Sequence, residues 1–257
     1  MSERKGEMPE HGEHFPRILP MALSGLLVQF SDRLEENANR AALRLHARLL
    51  AEALPGVEEI VPSLGAVFLR LDPLVADHDA IAARLRGLMA APSGATEAAA
   101  ARRWHIPAVF GGDSGPELAA VAAAMGCDAA AAVAELTARP LRVMALGFAP
   151  GLPYLGILPE RWDIPRKAGL TPRVPRGGIV VAVRQAIVFP TATATGWWHV
   201  GQTGFGSFRP AAAEPFQLRP GDEVLFEPVT QEALDALCRD DPEGGGARVD
   251  PPEGGAA

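Results

Sequence analysis

Tyr154, Arg166, Lys167 and Arg173 are able to grip a planar carboxylate, an amide or a phosphate, and all four fall inside one stretch dense in glycine and proline. Guanidinium, ammonium and phenol groups hold such ligands through charge-assisted hydrogen bonds. Arg166, Lys167 and Arg173 lie within eight positions of one another, with Pro165 and Pro172 beside two of them. Restraining the backbone there limits the entropy lost when these side chains close on a ligand. The same run also describes a solvated basic rim, and spacing does not separate the two readings. Just upstream, Gly147-Phe148-Ala149-Pro150-Gly151 follows an apolar run. Proline locks φ and glycine reaches conformations other residues resist, so the amides of such a loop can face outward and cradle an anion. An ordinary tight turn has the same composition. Trp197-Trp198-His199 puts Trp197 and His199 on one side of an expected strand. That histidine is either a general base or a satisfied structural residue.

Composition sets bounds on what those residues serve. A chain of 257 residues, 48% hydrophobic, can bury a sizeable core and is read as two domains. The net charge of -7 and pI near 5.4 argue against a nucleic-acid partner, which needs an excess of Lys and Arg on one face. Cys127 and Cys238 stand alone and far apart, the pattern of idle free thiols. No run reaches the length of a membrane span and Met1 to His14 has no apolar signal core, so a cytoplasmic protein without membrane contact is expected. Phosphate-loop, nucleophile-elbow, His-Glu-x-x-His and Cys-x-x-Cys patterns are all missing from the sequence, and no metal site is expected.

The elements that must position the site follow from periodicity. Residues 1–15 read as a disordered leader. Leu26–Phe30 reads as a buried strand, Asn37–Leu54 as an amphipathic helix closed by Pro55-Gly56, Val57–Val61 and Val67–Leu71 as strands, and Asp77–Met89 as a second helix. This β-α-β-β-α order predicts an α+β, ferredoxin-like domain over residues 16–91. Residues 92–101 read as a linker. A second domain is expected over 102–239, opening with a strand at Trp104–Phe110 interrupted by Pro107. Helices follow at Glu117–Met125 and Asp128–Thr137, the latter N-capped by Asp128. Short β-rich runs at 142–148, 178–183, 186–189, 197–201 and 223–226 predict a closed or nearly closed barrel. In the turn Pro220 to Val224 the carboxylates are expected to cap backbone amides. Gln231–Cys238 reads as a last helix, and residues 240–257 as a disordered tail.

Longer motifs resemble a known family. His105-Ile106-Pro107-Ala108-Val109-Phe110-Gly111-Gly112, with Gly115-Pro116-Glu117-Leu118, is similar to an Ile-Pro-Val-x-Tyr-Gly-Gly and Gly-x-Asp-Leu pair. Gly147 to Gly156 resembles a Gly-Phe-x-Pro-Gly-Phe-x-Tyr-Leu-Gly signature, with Leu152 where Phe is usual, and Pro165-Arg166 with Pro172-Arg173-Val174-Pro175 resembles a Pro-Arg and Pro-Arg-x-x-Val-Pro pair. These motifs, in this order, resemble the B subunit of bacterial 5-oxoprolinase, a group also called allophanate hydrolase subunit 1 and including kinase inhibitors of the KipI type.

The resemblance implies a small α+β domain followed by a cyclophilin-like barrel. It also implies a subunit that pairs with a homologous C subunit and an A subunit to open a lactam at the expense of ATP. In that setting Arg166, Lys167 and Arg173 are the expected catalytic cations, for an oxyanion or for the substrate carboxylate. Phe148, Pro150, Gly151, Tyr154, Gln185, Trp197 and His199 are the expected substrate-binding residues. A regulatory binding protein and, more weakly, an allophanate or urea pathway subunit are the alternatives. The chain departs from the family pattern at Gly177-Gly178-Ile179, where Gly-Ser-Val is usual. It departs again at Gln185 to Pro190 and at Thr193 to Trp197, so that across the three segments a Ser, a Thr and a Tyr hydroxyl and two turn glycines are lost together.

Overall fold

The computed structural model describes residues 15–91 and 102–250; the expected leader up to residue 14, the linker over 92–101 and the tail beyond 250 lie outside the described residues. The first unit contains β1 (Arg17–Pro20), β2 (Gly25–Gln29), α1 (Glu36–Leu50), β3 (Val57–Pro62), β4 (Ala66–Leu71) and α2 (His78–Ala90). Its antiparallel sheet has the order β1-β2-β4-β3. The helices cover one face and bury Leu45, Leu49, Ile81 and Leu85 against Val28, Val67 and Leu69. Asp77 caps α2 by accepting from the amides of Asp79 and Ala80, both at 3.0 Å.

The architecture is α+β and ferredoxin-like as expected, with one strand the sequence does not announce. β1 pairs with β2 at the sheet edge, in the place a strand following α2 would take. It has four residues, three half-exposed and the closing proline exposed, too short and too weakly apolar for periodicity to register. α1 stops at Leu50 rather than running to Leu54, and Leu54 turns inward against the core.

The second unit opens with β5 (Arg103–Phe110), then α3 (Leu118–Ala124), α4 (Ala129–Thr137), β6 (Leu141–Leu146) and β7 (Pro153–Gly156). β8 (Thr171–Val174), β9 (Gly178–Ala182), β10 (Gln185–Val188), β11 (Thr193–Thr195) and β12 (Trp198–Thr203) follow, and β13 (Glu223–Pro228), α5 (Gln231–Asp240) and β14 (Arg248–Asp250) complete it. Seven strands close a barrel in the order β12-β9-β10-β7-β6-β13-β5, with β5 returning to β12. Asp128 caps α4 as expected, accepting from the Ala131 amide at 2.7 Å. The helices α3 and α4 bury Leu118, Val121 and Leu136 against the barrel core, which includes Ile106, Val181, Val200 and Phe205.

Two expectations fail here for identifiable reasons. β5 runs unbroken through Pro107, because that residue lies between the β14 ladder at residues 103–105 and the β12 ladder at 108–110. The missing N–H therefore removes no antiparallel rung, while the Pro107 carbonyl accepts from Thr203 Oγ1 at 2.7 Å. Nor does the chain trail away from residue 240. Asp241 accepts from the Gly244 amide at 2.9 Å, Gly245 and Gly246 take positive φ, and β14 pairs with β5. His105 then bridges Glu227 at 2.8 Å and Asp250 at 2.9 Å.

Asn39 of α1 ties the two units together. Fully buried, it donates from Nδ2 to the carbonyls of Leu64 at 2.9 Å and Met144 at 2.7 Å.

Candidate functional site

The outer face of β7, β10 and β9 carries a second apolar cluster of Leu152, Val174, Val180, Ala182, Ile187, Phe189 and Trp197, with Ala149 and Tyr154 packed against it. Strand alternation puts it there: Val181, Ala186 and Val188 point into the barrel, and their neighbours point out. Tyr154 lies opposite Ile187 and His199 opposite Val180, so both side chains belong to this face. A separate two-stranded sheet of β8 and β11 covers part of it and brings Val174 into the cluster.

Trp197 is the centre of the cluster's polar edge. The Arg166 guanidinium stands 5.1 Å over its ring, and Tyr154 meets it edge-on with centroids 6.3 Å apart. The Lys167 amide donates to Gly196 O at 2.7 Å, and Trp198 Nε1 donates to Pro165 O at 2.9 Å, which fixes the Pro165–Lys167 segment to the strand entrance.

Lys167 is engaged rather than free. Its side chain is 14% exposed, and its ammonium pairs with Glu117 and contacts Thr171 Oγ1. Glu117 spends its other oxygen on the His199 amide, at 2.6 Å, and its own amide donates to His199 O at 2.9 Å. The His199 ring is buried, and that burial lowers its pKa from the usual histidine value. The Gly201 carbonyl and the Glu117 carboxylate oppose the shift, and the Lys167 charge adds to it. Since Nε2 faces the Gly201 carbonyl at 3.0 Å, the neutral ring carries its proton there and keeps Nδ1 as an acceptor.

Several expected site residues stand apart. Phe148 is 81% exposed with φ of 70°, at the apex of the β6–β7 connection, and Pro150 beside it is exposed too. Gly151 is structural: with φ of +71°, a Cβ there would lie 2.7 Å from Phe208 Cβ and 3.0 Å from Ser207 O. The Gly147 and Leu152 amides are consumed within the turn by Leu152 O and Ala149 O, each at 3.1 Å. Arg173 is exposed on β8 and makes no hydrogen bond or ion pair among the described residues. Gln185 is only 4% exposed, opposite Ala182 on the same face, and its Nε2 has no partner among the described residues.

Residue type alone does not single out Glu117 and Thr171, although Glu117 sits in the Gly-Pro-Glu-Leu motif. The departure at Gly178 has a steric counterpart, because a Cβ there would lie 2.3 Å from Val174 Cγ1 and 3.0 Å from Pro175 O. Among the described residues no group of three or more His, Cys, Asp or Glu is placed to hold a metal ion. No single described helix is long and apolar enough to cross a membrane. Clefts of about 200 and 230 Å3 lie on the α+β unit, the first beside Leu45 and Met89 and the second beside Val75 and Ile81, away from the residues above.

The family model for the carboxyltransferase domain, subdomains C and D, matches residues 16–218. The 5-oxoprolinase B subunit of Escherichia coli O157:H7 is 44% identical over 124 residues, 48% of this chain and 57% of that protein. The 5-oxoprolinase B subunit of Bacillus subtilis strain 168 is 36% identical over 128 residues, 50% of this chain and 53% of that protein. The chain thus spans a little over half the length of these curated relatives. Among solved structures, TTHA0988 superposes with a TM-score of 0.69 at 33% identity, covering 80% of this chain and 40% of that one. The urea amidolyase of Kluyveromyces lactis, at 15% identity and a TM-score of 0.67, shares the fold over 91% of this chain and 17% of its own. The motif resemblance and the barrel with its α+β unit therefore converge: the chain belongs to the family of carboxyltransferase subdomains C and D, with 5-oxoprolinase B subunits among its relatives.

Proposed function

We propose that this chain is the B subunit of an ATP-dependent lactam or amide hydrolase of the 5-oxoprolinase type, working with a homologous C subunit and an A subunit in the cytoplasm. The observation that carries the reading is the Arg166–Trp197–Tyr154 cluster beside the Glu117–Lys167–His199 network on one outer face of the barrel. A lactam resists attack until its carbonyl is activated, and the developing oxyanion needs fixed positive charge near it. Arg166 supplies charge held against an aromatic platform, and Arg173, without a partner among the described residues, supplies a second cation for a substrate carboxylate. Lys167 serves to fix the wall rather than to grip an anion, since Glu117 already neutralises it. His199 offers a neutral Nδ1 acceptor, and Tyr154 and Gln185 orient the amide. ATP is consumed by the assembled complex, and this chain carries no familiar phosphate loop to bind it alone.

A second reading, a regulatory binding protein, draws support from the exposed apolar side chains Phe148 and Leu170 near the same face. Reconstitution distinguishes them. ATP-dependent release of glutamate from 5-oxoproline is measured with the cognate A and C subunits, with and without this chain. The enzyme reading predicts turnover that requires the chain; assembly without turnover rejects it in favour of regulation.

A further inference from the structure

The motif pair at Ile106–Gly112 and Gly115–Leu118 has a physical role in the candidate site. The β12–β5 ladder covers only residues 201–203 of β12, so the edge of β12 at His199 and Val200 loses its strand partner where β5 ends at Phe110. The chain then turns through Gly111 and Gly112, both at positive φ, and folds back along that edge. The Gly111 amide donates to Val200 O at 3.1 Å, and Gly115 passes so close that a Cβ would sit 2.0 Å from the same oxygen. Glu117 completes the replacement by pairing with both backbone groups of His199. Its remaining oxygen meets the Lys167 ammonium, with Thr171 Oγ1 3.4 Å away.

We propose that Glu117 is a positioning residue: one side chain locks the His199 backbone and the Lys167 ammonium into a single body, and thereby sets the place of the Arg166-bearing segment against Trp197. Without the carboxylate, a mostly buried ammonium would lose its charge partner and keep only Thr171 Oγ1, a strand-edge amide would lose its acceptor, and the segment from Pro165 to Thr171 would be held chiefly by Lys167 N and Trp198 Nε1. The charge balance at His199 is a direct reporter, because Glu117 and Lys167 act on the imidazole with opposite sign.

The test has two arms, and the kinetic arm rests on the hydrolase reading above. In the full chain, with the His199 resonance assigned by its loss in His199→Gln, Glu117→Gln lowers the His199 titration midpoint. Lys167→Met raises it. In the assembled complex Glu117→Gln lowers kcat for 5-oxoproline at least tenfold with KM changed less than threefold, and Glu117→Asp recovers part of the loss. Glu117→Gln/Lys167→Met is no worse than Lys167→Met alone. An unmoved His199 midpoint in Glu117→Gln overturns the proposal, as does a wild-type kcat in that variant or a double variant whose losses multiply. If the wild-type complex does not turn over 5-oxoproline, the hydrolase reading falls while the titration still decides the role of Glu117.

Discussion

Removing the Asn39 side chain should loosen the α+β unit from the barrel. Asn39 is fully buried and donates two hydrogen bonds, at 2.9 and 2.7 Å, to carbonyls of the β3–β4 turn and of β6. Each bond contributes about 1 kcal/mol net, and stranding the buried Met144 carbonyl costs about 1–3 kcal/mol, whereas the half-exposed Leu64 carbonyl can turn to water. Against this, Oδ1 of Asn39 is itself buried without a partner among the described residues, so truncation also relieves one orphan acceptor. The balance for Asn39→Ala is a loss of about 2–4 kcal/mol, a large share of the roughly 5–15 kcal/mol that holds a domain folded. Equilibrium urea unfolding, followed by tryptophan fluorescence, reads this as a lower midpoint at unchanged slope. Asn39→Asp sharpens the test through its pH dependence. The introduced carboxyl faces two carbonyl oxygens and can donate only when protonated, so its folded pKa rises above about 3.9. The destabilisation is then full at neutral pH and shrinks as pH falls toward that value. A loss below about 0.5 kcal/mol in Asn39→Ala, or a pH-independent loss in Asn39→Asp, would refute this account of the junction.

Other outcomes follow from single contacts. Because burial lowers the His199 pKa, the folded state resists protonation. Stability should fall as pH drops below the unfolded value of about 6.5, and His199→Gln should flatten that decline in urea titrations at pH 5 to 7. Gly115→Ala places a Cβ 2.0 Å from the Val200 carbonyl oxygen, and backbone cannot yield cheaply, so a loss of about 3 kcal/mol or more is expected by the same unfolding assay. Asp222 is buried, accepts from Arg102 Nε at 3.0 Å and Nη2 at 2.5 Å, and caps the Arg219 amide at 2.9 Å. Asp222→Ala should cost about 3–5 kcal/mol, and recovery by Arg102→Met in the same chain would confirm that the unpaired guanidinium carries much of it.

What the sequence makes legible is what short-range physics determines. α1, α2 and β4 show their apolar periodicity directly, Asp128 reveals its cap, and the Pro220–Val224 turn shows its capping carboxylate in Asp222. β1 and β14 do not show, because each is held by its ladder partner and not by an apolar pattern; β14 is exposed throughout. Pro107 misleads because a residue cannot disclose which of its neighbours will leave a rung open. At the site, Tyr154, Trp197 and Arg166 are legible as types and do meet. Phe148 and Pro150 share the motif with Tyr154, yet the turn that Gly151 makes possible carries them out to solvent. Glu117 is hidden by distance along the chain, since its partners Lys167 and His199 lie 50 and 82 residues away.

Substrate binding at the barrel face bearing Arg166, beside Arg173 on the neighbouring β8, is the premise of the proposed function. Turnover of 5-oxoproline by the assembled complex carrying Arg166→Ala and Arg173→Ala tests it most directly, with assembly verified by size-exclusion chromatography. Assembly should be intact and turnover reduced about 100-fold or more, the usual cost of removing groups that stabilise a developing oxyanion. Wild-type turnover by that variant would place the chemistry elsewhere and contradict that premise.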